Sequence, residues 1–141
     1  MALTQQDIDK KLAFFNITAD DVARFGQISG AMDSLAGPAL ERLYDRIAVT
    51  PDTGRFFSSR QAMNHARDKQ IEHWSGMFSG TPGMAYAERA QRIGDVHARI
   101  GLEPGWYIGA YASVLDEVIV RFLGRGLGRS APAAPRRWRA W

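Results

Sequence analysis

Three histidines, His65, His73 and His97, are the side chains best suited to metal or acid–base chemistry in this 141-residue chain, which has no cysteine. Without thiols there can be no disulfides, iron–sulfur clusters, thiolate-ligated heme or thiolate zinc sites, so a metal would be held by histidine or carboxylate. His65 and His73 are eight positions apart, which at about 100° per residue separates them by about 80° around one helix. They do not form the i, i+4 pair of a zinc-binding helix. No nucleophile motif, phosphate loop or dinucleotide fingerprint is present. The run G-R-G-L-G-R at 124–129 follows a helical segment rather than a strand and lacks the Walker lysine.

His97 differs from the other two in its neighbours, Ile93, Val96 and Ile100, which put it on an apolar helix face. A buried imidazole needs a partner, because an unsatisfied polar group costs about 1–3 kcal/mol. The residues alone leave two partners open: a hydrogen bond within a core, the commoner case, or a metal. Tyr44 shares a face with Leu40, Leu43 and Ile47. On spacing alone it reads first as a core aromatic with its hydroxyl at the edge, and second as a hydroxyl turned toward a ligand.

The elements that must position these residues are helical throughout, with apolar residues at spacings of three and four and no sustained alternation of period two. Thr4 caps a first helix over residues 5–13, and Thr18 with Asp20 and Asp21 starts a second that runs to about Leu35. Gly37-Pro38 predicts a junction, since proline fits the first turn of a helix and fails inside one. The next helix reaches Val49 and stops at Thr50-Pro51. A long helix from about Ser59 to Phe78 places Ala66, Lys69 or Gln70, His73 and Met77 on one stripe. Another covers Ala85 to Ile100, with Gly101 as its left-handed C-terminal residue. Pro104 opens the last helix, whose two apolar ridges, one through Tyr107, Tyr111, Val114 and Val118 and one through Ile108, Leu115 and Ile119, predict burial on more than one side.

Length fits one domain, and 45% hydrophobic with 23% charged residues is the balance of a globular rather than a disordered or membrane chain. No apolar run approaches the roughly 20 residues of a membrane-spanning helix, and the N-terminus lacks the apolar stretch of a signal peptide, so a cytoplasmic location is expected. The net charge of +3 becomes −2 over residues 1–124, because Arg125, Arg129, Arg136, Arg137 and Arg139 have no acid among them. A basic tail reads as a solvated terminus before it reads as a specific nucleic-acid site. The expected organisation is a domain over 1–124 followed by a Gly/Pro/Arg-rich tail over 125–141.

The stretch RIGDVHARIGLEPGWYIGAY, residues 92–111, resembles the proximal segment of globin-coupled sensors, in which V-H-x-R-I-G-L is followed by a W-Y pair opening the next helix. HWSGMFSG, residues 73–80, is similar to the end of that family's distal helix, and ERLYDRI, residues 41–47, to the helix carrying its distal tyrosine. The three segments appear in family order, and the resemblance extends from about Thr18 to Leu123.

The resemblance implies an all-α globin fold with a short or absent D helix and heme b bound through His97 as the proximal iron ligand. It implies that Tyr44 donates a hydrogen bond to a diatomic gas (O2, CO or NO), and that Tyr107, beside the proximal helix, relays iron-linked movement. Trp106 and Ile100 join the cofactor-binding set. Ala66 stands where the family commonly has a larger aliphatic, which implies a roomier distal side, and Lys69 is placed to reach a heme propionate or solvent. The implied role is that of a bacterial oxygen-sensing input domain, not itself an enzyme, coupled to an output domain such as a cyclase, kinase or chemotaxis transducer, or to a partner protein. A homodimer is also implied. Two alternatives remain at this level: a heme globin with nitric oxide dioxygenase or peroxidase-like activity, and a heme-free globin-fold interaction module. The family pattern continues through a further long helix after GWYIGAY, and the expectation from this sequence is that such a helix is missing.

Overall fold

The computed structural model describes residues 3–80 and 82–126. Of the tail expected over 125–141, Arg125 and Gly126 belong instead to the last helix, and the rest, from residue 127 onward, lies outside the described residues. Six α-helices in chain order make up the described fold: α1 (Gln5–Phe14), α2 (Ala19–Val49), α3 (Pro51–Gly54), α4 (Arg60–Met77), α5 (Met84–Arg99) and α6 (Pro104–Gly126). None of these is long and apolar enough to cross a membrane.

Capping residues set the first two helix starts. Thr4 and Thr18 each accept a hydrogen bond from the backbone N–H three residues on, and the Asp7 and Asp21 carboxylates each accept one from the cap residue's own N–H. Two otherwise orphaned amide groups are satisfied at each end. The Thr4 and Thr18 hydroxyls, which donate to these carboxylates at 2.6 and 2.7 Å, and then the cap N–H groups hold both carboxyls below the usual value of 3.8. Ser59 caps α4 by accepting from the Ala62 amide at 3.1 Å.

The junction expected at Gly37-Pro38 does not form. α2 is continuous for 31 residues with Pro38 inside it. Proline removes one backbone donor and crowds the carbonyl a turn earlier, at a cost of about 3 kcal/mol in an exposed helix. Here the flanking residues Leu35, Ala36, Ala39 and Leu40 are among the most buried in the chain, and their burial outweighs the local penalty. A break would separate those side chains from one core.

That core forms where α2, α4 and α6 converge: Met32, Leu35, Ala36, Ala39 and Leu40 from α2, Trp74 from α4, Val114 and Val118 from α6. Polar contacts fasten the same helices at the rim. Arg42 pairs with Glu117, which also receives Arg121 at 3.3 Å, and the Ser75 hydroxyl donates to Asp33 at 2.6 Å.

Burial of α6 on more than one side, as its two ridges predict, is only half realised. Val114 and Val118 are buried, whereas Ile108 is 65% and Ile119 53% exposed. Leu115, between them on that ridge, is 40% exposed. In the same way α5 buries no residue fully, although its apolar stripe is pronounced in the sequence. Part of that stripe faces a cavity instead of packed side chains.

Candidate functional site

His97 lies in the last turn of α5, and its position is fixed by how that helix ends. Gly101 takes a φ of 70°, a left-handed value that glycine adopts without steric penalty. This turns the chain so that the Gly101 amide donates to the Ala98 carbonyl at 3.1 Å and the Leu102 amide to the His97 carbonyl at 3.0 Å. The pair of bonds is a Schellman closure, and it ties the His97 carbonyl to Leu102, two residues before α6 begins at Pro104.

The side chain of His97 faces a cavity of about 450 Å³, within the range of small-molecule and cofactor sites. α2 contributes Leu40, Leu43, Tyr44, Arg46 and Ile47 to its wall. α4 contributes Gln70 and Trp74, and Ile100, Leu102, Trp106, Tyr107 and Tyr111 come from the end of α5 onward. Phe56 and Phe57 close one side. Of the residues singled out in the sequence, His97, Tyr44, Ile100, Trp106 and Tyr107 are thus brought to one cavity, while Ala66 and Lys69 are not part of its wall. The Lys69 ammonium lies 2.8 Å from Glu72 on the outside of α4. Gln70, Arg46 and Tyr111 were not singled out. The α4 stripe that placed Gln70 beside His73 was the available signal for the first of them.

Electrostatics in the cavity follow from desolvation. Burial lowers the His97 pKa from 6.5, so the ring is held neutral at pH 7 with a lone pair free to bind. Its Nδ1 is buried and accepts or donates no hydrogen bond, and the ring lies against Tyr107 with centroids 4.9 Å apart. A metal-ligating histidine usually donates its second N–H to a fixed acceptor. In this chain the ring orientation rests on packing against Tyr107 instead. Burial pushes the Tyr44 hydroxyl up to about 12, partly offset by Arg67, so it stays protonated and can donate. Tyr111 is also raised, chiefly by burial and then by Tyr107, with Gln70 acting in the opposite direction.

Among the described residues no three His, Asp or Glu side chains cluster to hold a bare metal ion. One neutral imidazole in an apolar wall instead suits a planar group that brings most of its own coordination. The donor set fits heme: a single nitrogen base, a protonated hydroxyl, and aromatic and aliphatic walls.

Helices of this number and packing, with a histidine near the end of α5 directed into a cavity beneath α2, make the domain a globin. The chain belongs to the Protoglobin family, whose family model matches residues 4–133, and the likeness to globin-coupled sensors read from residues 92–111 stands with it. It is 24% identical over 147 aligned positions to the heme-based aerotactic transducer HemAT of Halobacterium salinarum, an alignment that covers 87% of this chain and 30% of that protein. The chain therefore spans less than a third of the length of this curated relative.

Proposed function

We propose that this chain is a heme-binding sensor globin that takes a diatomic gas and passes its ligation state to an output domain or partner in the cytoplasm. The observation that carries the reading is that His97 from α5 and Tyr44 from α2 line one largely apolar cavity, with the imidazole held neutral and its Nδ1 unpartnered. When bound, heme b supplies the iron at which a gas ligand is taken up. His97 offers the axial nitrogen. Tyr44, kept protonated, donates a hydrogen bond to a polar ligand, and the apolar wall excludes water that would compete for that bond. Tyr107 touches the His97 ring, so a shift of the imidazole meets α6 first at this residue.

The relative's printed name, a heme-based aerotactic transducer, supports a sensory rather than a catalytic reading. The test is spectroscopic. Purified chain reconstituted with hemin is expected to show a Soret band that shifts on reduction and again on adding carbon monoxide, and His97→Ala is expected to lose the axial-nitrogen spectrum. An identical spectrum in His97→Ala would refute the assignment. Tyr44→Phe is expected to speed oxygen dissociation by about tenfold, the worth of one hydrogen bond of about 1–1.5 kcal/mol.

A further inference from the structure

The cavity wall is apolar over most of its area, yet one cation belongs to it. Arg46, in the last turn of α2, lines the cavity together with Ser113 of α6, and its Nη2 donates to the Ser113 hydroxyl oxygen at 2.6 Å. The Thr50 hydroxyl donates to the Arg46 carbonyl at 2.8 Å, which holds the backbone of that turn. A guanidinium carries five N–H donors in a planar fork, and the bond to Ser113 uses one. Among the described residues no carboxylate pairs with Arg46. The other cations near the site are committed elsewhere, Arg67 to Asp68 at 2.9 Å and Lys69 to Glu72 at 2.8 Å.

We infer that Arg46, steadied by Ser113, is the carboxylate-binding corner of the cavity, and fixes which edge of a dicarboxylate tetrapyrrole lies beside it. The inference rests on the heme reading above. A planar fork suits a carboxylate in two-point contact, and a fork with no acid partner at the mouth of an apolar cavity has its matching ligand in a group that is apolar in the middle and anionic at one edge. The reach to a propionate expected of Lys69 passes to Arg46, because the Lys69 ammonium is held by Glu72 outside the cavity.

The test compares two probes on the full chain: hemin, and hemin dimethyl ester, which has the same ring without the anionic edge. Wild-type chain is expected to bind hemin more tightly than the ester. Arg46→Leu is expected to lower hemin affinity by about tenfold, the scale of one charge-assisted hydrogen bond at a partly exposed site, and to leave the ester unchanged. Arg46→Lys is expected to restore part of the loss, and it serves as the reporter if the leucine variant loses helix content by circular dichroism. Equal affinity of wild type for the two probes, or an equal loss for both in Arg46→Leu, overturns the assignment of Arg46 and leaves the heme reading standing. Binding of neither probe by wild type overturns both.

Discussion

His73 and His97 begin from the same chemistry and end in different regions of the molecule. Each has an Nδ1 buried without a hydrogen-bond partner, each is lowered from 6.5 by burial, and each lies against a tyrosine ring, Tyr86 at 5.5 Å for His73 and Tyr107 at 4.9 Å for His97. The surroundings differ. His73 is stacked flat on Tyr86, with planes 16° apart, and does not line the cavity. His97 is tilted at 56° to Tyr107 and borders open volume. An orphaned nitrogen inside packed side chains is a penalty carried for the sake of shape. In His97 the buried Nδ1 carries the same penalty, and what sets this ring apart is that its remaining edge borders a cavity able to admit a ligand.

The comparison breaks if the two regions respond alike to truncation. Both tryptophans line the cavity, but only Trp74 also belongs to the core, so Trp74, 1% exposed, against Trp106, 42% exposed, gives the largest contrast: Trp74→Ala is expected to cost about 3–5 kcal/mol of folding stability, and Trp106→Ala less than about 1 kcal/mol, measured by urea unfolding without heme. Gly101→Ala, which forces a side chain into a φ of 70°, is expected to cost about 1–2 kcal/mol and to weaken hemin binding as well, since the same turn holds His97. His73→Phe removes a buried unpartnered nitrogen while keeping the ring, and is expected to gain about 1 kcal/mol with the hemin spectrum unchanged. His97→Phe is expected to abolish that spectrum.

The smallest effect expected is on pH dependence. A histidine whose folded pKa lies below 6.5 takes up its proton more readily unfolded than folded. Its contribution is therefore complete above pH 6.5, declines as pH falls through that value, and levels off below the folded pKa. Asp7 and Asp21, lowered from 3.8, add a separate loss only at more acid pH, as pH falls through their folded values. In His73→Phe the decline just below pH 6.5 should become shallower, with His97 supplying the remainder. A slope identical to wild type would mean that the His73 environment is not what sets it.

How much of this was legible in the sequence depends on whether a signal was local. Thr4 with Asp7 and Thr18 with Asp21 are helix starts that can be read from four residues, and Gly101 is a helix end that can be read from one. Pro38 is the counterexample, because the local rule was correct and the outcome was decided by four buried neighbours whose partners lie in α4 and α6. The apolar stripe of α5 was visible, but whether it would meet side chains or a void was not, since the void is made by α2 and α6. His97 and Tyr44 reached the candidate site through family motifs. Arg46 sits two residues after Tyr44 inside the same motif, and nothing in helical spacing distinguishes an arginine that lines a cavity from one that faces water. Its length lets it do what its position on the helix does not announce.

The closure at Gly101 has a mechanical consequence. Because the Leu102 amide holds the His97 carbonyl, the end of α5 cannot fray to absorb a displacement of the imidazole, and only Glu103 separates that clasp from α6. A helix of 23 residues is about 34 Å long at 1.5 Å per residue. A tilt of about 2° at its first turn would therefore carry its far end by about 1 Å, the helix acting as a pointer whose pivot is a single left-handed glycine.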